Sequence, residues 1–501
     1  MQQTSNRYRA LVACAVVLLL GGVARVSAQA PPKVLVHYMP WYQTPEVSGY
    51  WGWHWTMNHF NPDAMDADGR RSIASHTYPM IGPYDSSDPD VLEYHTLLMA
   101  IAGIDGVIVD WYGTSTLYDY PVINTATQHL FEEIEAAGLQ FAICYEDATL
   151  ARLIESGRLT AGEAVSQAQA DLRHVRDAWT TSSAYLTHDE QPVILNFGPQ
   201  HLHTSGEWQA ALSVFDEPPV FVTEDRRVAP VGAGAFPWPP MWASSNGVLS
   251  SARMQQYLSD FYRKAAPWPL VVGSAFPGFH DIYEQAGVGA SYGFLDAQEG
   301  ATLHSTVERA LAAEVPILQL VTWNDFGEGT TLEPTREYGY RYLEYIQTTV
   351  QSWRTLPYGV DDLSLPEQVY AARKAQAGQA EVQAQLDVAV EALRAGDPTS
   401  ARAILATIAV GREAEAPSVV NLVVHPNPAS SDVSVHFELE ATAHVQVEVY
   451  DLLGRRVARL ANGWHAVGAH TLSWVATRPS GLYIVRLQAG EAVQTRRLIV
   501  Q

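Results

Sequence analysis

Eight short apolar runs, separated by longer amphipathic stretches between Val34 and about Gln351, constrain this chain more than any other feature. The runs are VLVHY (34–38), GVIVDW (106–111), FAICYE (141–146), PVILNF (192–197), VFVTE (220–224), GAFPW (234–238), LVVGSAF (270–276) and ILQLVTW (317–323), of which GAFPW is the weakest. Between most of them lie segments such as DVLEYHTLLMAIAG, NTATQHLFEEIEAAG, GEAVSQAQADLRHVRDAW, SARMQQYLSDFYRKAA and ATLHSTVERALAAE. These place apolar residues at i, i+3 and i+4 and stop at glycine or proline, as helices do. Eight strands with helical crossovers predict an α/β chain, a (β/α)8 TIM barrel over residues 29–356.

In such a barrel, chemistry sits at the carboxyl ends of the strands. Those positions hold His37 and Tyr38, Asp110 and Trp111, Tyr145, Glu146 and Asp147, Asn196, Glu224 and Asp225, then Asn324, Asp325 and Glu328. They are expected to converge on one mouth.

The stretch TWNDFGEGT (322–330) closes the eighth run with two carboxylates three residues apart among glycines. Buried acids cost free energy unless they are paired, hydrogen-bonded or used. Cleavage of a glycosidic bond uses such a pair, one acid protonating the leaving oxygen and one carboxylate working on the other side of the anomeric carbon. Asp325 and Glu328 are therefore the candidate catalytic residues, with Gly327 and Gly329 allowing the turn that aims them. Asp325 has a plainer reading as the cap of the next segment. The expected sugar-binding set is His37, Tyr38, Trp41, Trp53, His54, Asp110, Trp111, Tyr145, Glu146, Asn196, Trp323 and Asn324. Asp110 and Glu146 suit sugar hydroxyls or, equally, ion pairs with barrel arginines. Tyr38, Trp41, Trp51, Trp53 and Trp55 crowd the first loop, where flat rings with polar tips suit sugar faces or build a small core of their own. His37 and His54 read as hydrogen-bonded supporting residues. DAMDADG (63–69) lacks EF-hand spacing and the downstream glutamate, so no metal and no cofactor is expected.

Residues 1–28 read as a secretory signal: Arg7 and Arg9, then ALVACAVVLLLGGVA, then a small-residue cleavage site VSA. Cys14 precedes the apolar segment instead of coming after it, which argues against lipidation. Removal of the signal leaves Cys144 alone, excluding an intrachain disulfide and a thiolate metal cluster. No later stretch approaches the roughly 20 apolar residues of a transmembrane helix. The formal charge of −23 repels phosphate backbones, so nucleic acid is not an expected partner.

Residues 357–415 turn Ala-, Gln- and Glu-rich with short helical periods broken at GDPTS, predicting two or three small helices that pack on the barrel or space it from the C-terminal segment. Residues 416–501 switch to period two, in VSVHFEL, HVQVEVYDLLG, RRVARL, HTLSWVA, GLYIVRL and QTRRLIVQ, predicting an antiparallel β-sandwich. A carbohydrate-binding module is the alternative there, with Trp464 and Trp474 as its aromatics.

Two resemblances sharpen these readings. HPNPASSDVSVHFEL, VEVYDLLGRRVARL, PSGLYIVRL and the ending TRRLIV resemble the C-terminal sorting domain of the type IX secretion system. That implies the type IX machinery as a partner, export across a bacterial outer membrane, removal of the domain and retention at the cell surface or release. HYMPWYQTP, GYWGWHWTMN, GPYDSSDPDVLEYHTLLMAIAGIDGVIVDWYG and WNDFGEGTTLEP resemble the glycoside hydrolase family 71/99 group, closest to family 99. The resemblance implies an endo-glycosidase acting on a mannan-like or related polysaccharide. In family 99 the last motif carries two glutamates, the first acting as base on the sugar's own 2-hydroxyl in a retaining route and the second as acid. The first position here is Asp325, shorter by one carbon–carbon bond, roughly 1.5 Å. That departure leaves two alternatives: an inverting family 71-like α-glucanase, or a non-catalytic glycan-binding surface protein.

Overall fold

The computed structural model describes residues 30–66, 69–410, 419–439, 443–451, 455–475, 479–489 and 492–501. The expected signal peptide lies outside them, as does the expected boundary at 415/416. Eight parallel strands form the barrel: β1 Lys33–Tyr38, β2 Gly106–Trp111, β3 Gln140–Tyr145, β4 Gln191–Asn196, β5 Val220–Glu224, β6 Gly234–Phe236, β7 Leu270–Ala275 and β8 Ile317–Leu320. Their order is β3-β2-β1-β8-β7-β6-β5-β4, and β3 pairs back onto β4 to close the cylinder. The weak GAFPW run is a strand of three residues, joined to β5 by a loop with no helix.

The outer layer includes α1 Pro89–Ala102, α2 Tyr120–Ala136, α3 Ala164–Ala178, α4 Ser205–Leu212, α5 Ser251–Ala265, α6 Ala301–Ala312 and α7 Arg341–Gln351. Local chemistry sets their ends. Asp88 caps α1 by accepting from the Asp90 N–H, with Pro89 at the first helical position, and Thr204 and Glu207 form a reciprocal capping box on α4.

Parallel neighbours in register point to the same side of a sheet, and successive residues to opposite sides. The register pairs Leu35–Gln319, Gln319–Ser274, Asp110–Cys144, Cys144–Leu195 and Leu195–Val222 thus define the barrel interior. His37, two residues beyond Leu35, also points inward. Glu146 and Glu224 continue the inward rows of β3 and β5 toward the mouth.

Three further helices pack behind the barrel, α8 Leu365–Ala375, α9 Ala380–Arg394 and α10 Pro398–Val410. They are pinned to α1 and α2 by Arg373–Glu93 (2.6 Å), Lys374–Asp88 (2.7 Å) and Arg394–Glu133 (2.5 Å). Their Leu386, Val390 and Leu393 share the barrel's apolar core.

The C-terminal strands are β9 Val419–His425, β10 Asp432–Leu439, β11 Ala443–Asp451, β12 Arg456–His465, β13 Gly468–Val475, β14 Gly481–Ala489 and β15 Ala492–Val500. They make antiparallel sheets β9-β10-β13 and β12-β11-β14-β15 around a separate core that includes Val435, Phe437, Val447, Val485 and Leu487. The strand β9 adds to the six runs legible in the sequence. No helix among the described residues is long and apolar enough to cross a membrane.

Candidate active site

The interior rows deliver some of the expected residues to the mouth and turn others away. His37, Asp110 and Glu146 face inward, joined by Glu224, Asp325 and Glu328. Tyr38, Trp111, Tyr145, Asn196 and Trp323 are corrected to the helix-facing layer, all of them buried. Tyr38 Oη lies 2.9 Å from His95 Nδ1 on α1, and the Trp323 ring packs on the same histidine. Trp111 Nε1 donates to Asn124 Oδ1 on α2 (2.9 Å). Tyr145 donates to Asp171 Oδ2 on α3 (2.9 Å), and Asn196 Nδ2 donates to the Tyr145 carbonyl (2.7 Å). Tyr38, Trp111, Tyr145 and Asn196 are each one residue out of phase with the inward row, whereas Trp323, four residues beyond the inward Gln319, lies past the end of β8 at Leu320. Asn324 is likewise structural: its Oδ1 accepts from the Met39 N–H (2.8 Å), and its Nδ2 donates to the Met39 carbonyl and the Tyr84 hydroxyl (3.0 Å each). It ties the loop after β1 to the turn after β8.

That turn is tightly knit. The Asp325 N–H donates to Thr322 Oγ1 (2.8 Å), Asp325 Oδ1 accepts from the Glu328 N–H (2.9 Å), and the Gly329 N–H donates to the Asp325 carbonyl (2.9 Å). Asp325 therefore caps the segment after it, and the same bond fixes its carboxyl beside Glu328. Gly329 has φ +68°, and a Cβ there would stand 2.8 Å from the His280 carbonyl oxygen. Only glycine suits both conditions. The His280 N–H donates to the Glu328 carbonyl (2.8 Å), so the loop after β7 braces the turn, and Tyr283 from that loop brings its hydroxyl 3.4 Å from Glu328 Oε1.

The mouth is crowded with acids that burial keeps from ionising readily. Burial pushes the Asp325 carboxyl up to about 7, against the pull of the Glu328 and Gly327 N–H groups. Burial, then the Asp325 charge, holds Glu328 well above the usual carboxylate range. Asp110 is raised to about 7 by burial, opposed by a Tyr112 hydrogen bond and aided by the Asp325 charge. Burial and the neighbouring Asp110 hold Glu146 high, and burial takes Glu224 to about 8. Gln200 Nε2 donates to Glu146 Oε2 (3.2 Å). Tyr112, Gln200 and Tyr283 were not among the expected residues, and Glu224 was expected at the mouth but in neither the catalytic nor the sugar-binding set. Tyr112 and Glu224 had a signal, since each continues an inward row, whereas Gln200 and Tyr283 come from loops without one.

Of the first-loop residues, Trp41 stacks on His54 (centroids 4.1 Å, planes 5° apart) and also touches Tyr112. His54 Nε2 lies 3.4 Å from Asp119 Oδ2 and meets the exposed Trp53 edge-on. Tyr112 stacks on Tyr120, which meets the exposed Tyr118. Rings thus run without a break from Asp110 to two exposed aromatics. Trp55, by contrast, is buried in a small core with Tyr42 and Phe326. Trp51 donates to Asp63 Oδ1 (2.9 Å), which occupies one acid of the DAMDADG segment. Asp68 of that segment lies outside the described residues.

Residues 32–147 match the model of glycosyl hydrolase family 99, and residues 423–501 that of the secretion system C-terminal sorting domain. A glycoprotein endo-alpha-1,2-mannosidase-like protein of Danio rerio is 22% identical over 339 residues, 62% of this chain and 73% of that protein. A protein of the same description from Mus musculus is 36% identical over 97 residues, 18% of this chain and 21% of that one. The solved GH99 endo-alpha-mannosidase of Bacteroides thetaiotaomicron, in complex with bis-tris-propane, superposes with a TM-score of 0.50 at 17% identity, over 65% of this chain and 98% of its own, and so shares the fold. The barrel, the paired acids on the turn after its last strand and the two matched segments together make this chain a glycoside hydrolase whose barrel resembles family 99, followed by a segment that matches the secretion system C-terminal sorting domain.

Proposed function

We propose that this protein is a secreted endo-acting α-mannosidase that cleaves a mannan-like polysaccharide outside the cell, with Glu328 as acid and Asp325 as base. The observation that carries the reading is the turn after β8, which sets Glu328, raised well above the usual carboxylate range by burial and the Asp325 charge, beside Asp325, which burial raises to about 7. Glu328 gives its proton to the leaving glycosidic oxygen. Asp325 takes the proton of the 2-hydroxyl, whose oxygen closes on the anomeric carbon as the leaving bond breaks. Water, deprotonated by the Glu328 carboxylate, then opens the anhydro-sugar, and the 2-oxygen recovers its proton from Asp325, so configuration is retained. The aromatic run from Tyr112 to Trp53 supplies flat surfaces for neighbouring sugar rings, and the sorting domain directs export through the type IX machinery.

Incubation with a panel of α-mannans and α-glucans tests the substrate: oligosaccharides released from α-mannan support the reading, and release from α-glucan alone overturns it. Glu328→Gln is expected to abolish cleavage of natural glycans while leaving binding nearly intact, because the amide keeps the shape and cannot donate the proton. Substrates whose leaving group departs unprotonated should suffer much less. Equal loss on both substrate types would remove Glu328 from the acid role. One observation favours a second reading, a non-catalytic glycan-binding protein: Asp325 spends one oxygen on the Glu328 N–H and has the shorter side chain. Binding without product on every glycan of the panel would select it.

A further inference from the structure

Three inward side chains on adjacent strands, β1, β2 and β3, meet on the floor of the acidic mouth, Asp110 being one of its acids. His37 and Cys144 are fully buried and Asp110 is 3% exposed. One ligand atom from each, imidazole nitrogen, carboxylate oxygen and sulfur, lies within 4.8 Å of the other two. Two of these residues also carry buried polar atoms with no hydrogen-bond partner, His37 Nε2 and Asp110 Oδ1. An unsatisfied buried polar atom costs about 1–3 kcal/mol, so two beside one thiol call for an occupant.

We infer that this floor binds a single divalent cation of the class that prefers sulfur and imidazole, zinc foremost, through His37 Nε2, an Asp110 carboxylate oxygen and the Cys144 sulfur. The surrounding groups prepare the imidazole. His37 Nδ1 lies 3.5 Å from Gln319 Oε1, and Gln319 Nε2 points to Ser274 Oγ (3.4 Å). The amide thus presents its oxygen, the ring proton sits on Nδ1, and Nε2 is left with the free lone pair that a metal requires. Cys144 is the free cysteine among the described residues, and it is inward-facing. A mixed sulfur, nitrogen and oxygen donor set suits a tetrahedral zinc-type ion, with bonds of about 2.0–2.3 Å that bring ligand atoms roughly 3.3–3.6 Å apart. The three side chains need to close by about an ångström on that scale. The carboxylate and thiolate together cancel the charge of the ion, which a dry site demands. As the sulfur–metal bond forms, the thiol releases its proton to solvent, so binding strengthens as pH rises. The fourth position remains for water or a sugar hydroxyl.

The test uses the full chain from Gln29, which contains Cys144 as its sole cysteine, purified without metal-affinity chromatography, stripped with chelator and titrated with cobalt(II). An equimolar uptake with the near-ultraviolet thiolate-to-cobalt charge-transfer band is expected, together with release of protons. The band should vanish in Cys144→Ser, and cobalt affinity should fall at least about tenfold in His37→Gln. Folded wild-type protein that shows no such band overturns the inference, because no other sulfur in this chain could give the band through a thiolate. So does a Cys144→Ser variant that binds cobalt as tightly as wild type. The wild-type titration decides the question even if both variants fail to fold.

Discussion

At the scale of single residues, Asp325 carries two duties that pull against each other. Its Oδ1 closes the turn on the Glu328 N–H, and its remaining oxygen is the one available to a substrate. Asp325→Asn should remove turnover, since an amide cannot take a proton. Asp325→Glu should retain part of it, the longer arm reaching further at the expense of a cap worth about 1 kcal/mol. Burial raises Asp325 to about 7, and burial with the Asp325 charge holds Glu328 well above the usual carboxylate range. The base works only as its carboxylate and the acid only while protonated. With the raised value, kcat/KM should therefore climb with pH through about 7, falling about tenfold per unit below it, and decline again when Glu328 loses its proton. A profile flat from pH 5 to 7 would remove Asp325 from the base role. Proton NMR of the first product fixes the route: retention agrees with participation of the 2-hydroxyl, whereas inversion requires room for a water between the carboxyls, at roughly 6.5–9.5 Å, as a family 71-like α-glucanase would have.

At the scale of strands, a one-residue step separates a substrate contact from a structural bond. All eight strands and the turn after the eighth were legible, because apolar runs and glycine-flanked acids are local signals. What was not read was phase. His37, Asp110 and Cys144 share the inward row, whereas Tyr38, Trp111, Tyr145 and Asn196 sit one position along and face the helices, where their polar tips meet His95, Asn124, Asp171 and the Tyr145 carbonyl. Both rows are equally apolar lower in the strands, so hydrophobicity could not tell inside from outside. Register does. Tyr283 and Gln200 were beyond reach for a different reason, since loops after β7 and β4 fold over the mouth without a period. The phase makes Tyr145→Phe informative. Losing the hydroxyl bonded to Asp171 should lower stability by about 1–2 kcal/mol in denaturant melts, with kcat and KM on glycans unchanged. A change in KM without loss of stability would return Tyr145 to the substrate side.

At the scale of the molecule, two apolar cores that share no residue decide where the chain can be cut. One runs from Val34 to Leu405 and includes Leu363, Leu365, Val369, Leu386, Val390 and Leu393 from the helical segment. The other begins at Leu422 and ends at Val500. Across the junction the bonds are polar: Arg459 lies 3.5 Å from Asp361 and 3.6 Å from Glu344, and the Trp464 backbone N–H bonds the buried Glu367 carboxyl. Ion pairs that are this long and open to solvent on the acid's side contribute about 0–1 kcal/mol each. A chain ending at Val410 should therefore melt within a few degrees of the full-length protein and keep its glycosidase activity, as a form released from a sorting domain must. A chain ending at Leu356 should not: it strips several buried side chains, each worth roughly 1.5–3 kcal/mol, and removes the partners of Glu93, Asp88 and Glu133. It should be insoluble or melt far lower. Intact mass of protein recovered from the native cell surface adds the biological half of the test, with a terminus expected within residues 411–418. Loss of fold in the Val410 chain would show the terminal sheets to be a working part of the enzyme, and a surface form retaining Gln501 would show that they are not removed.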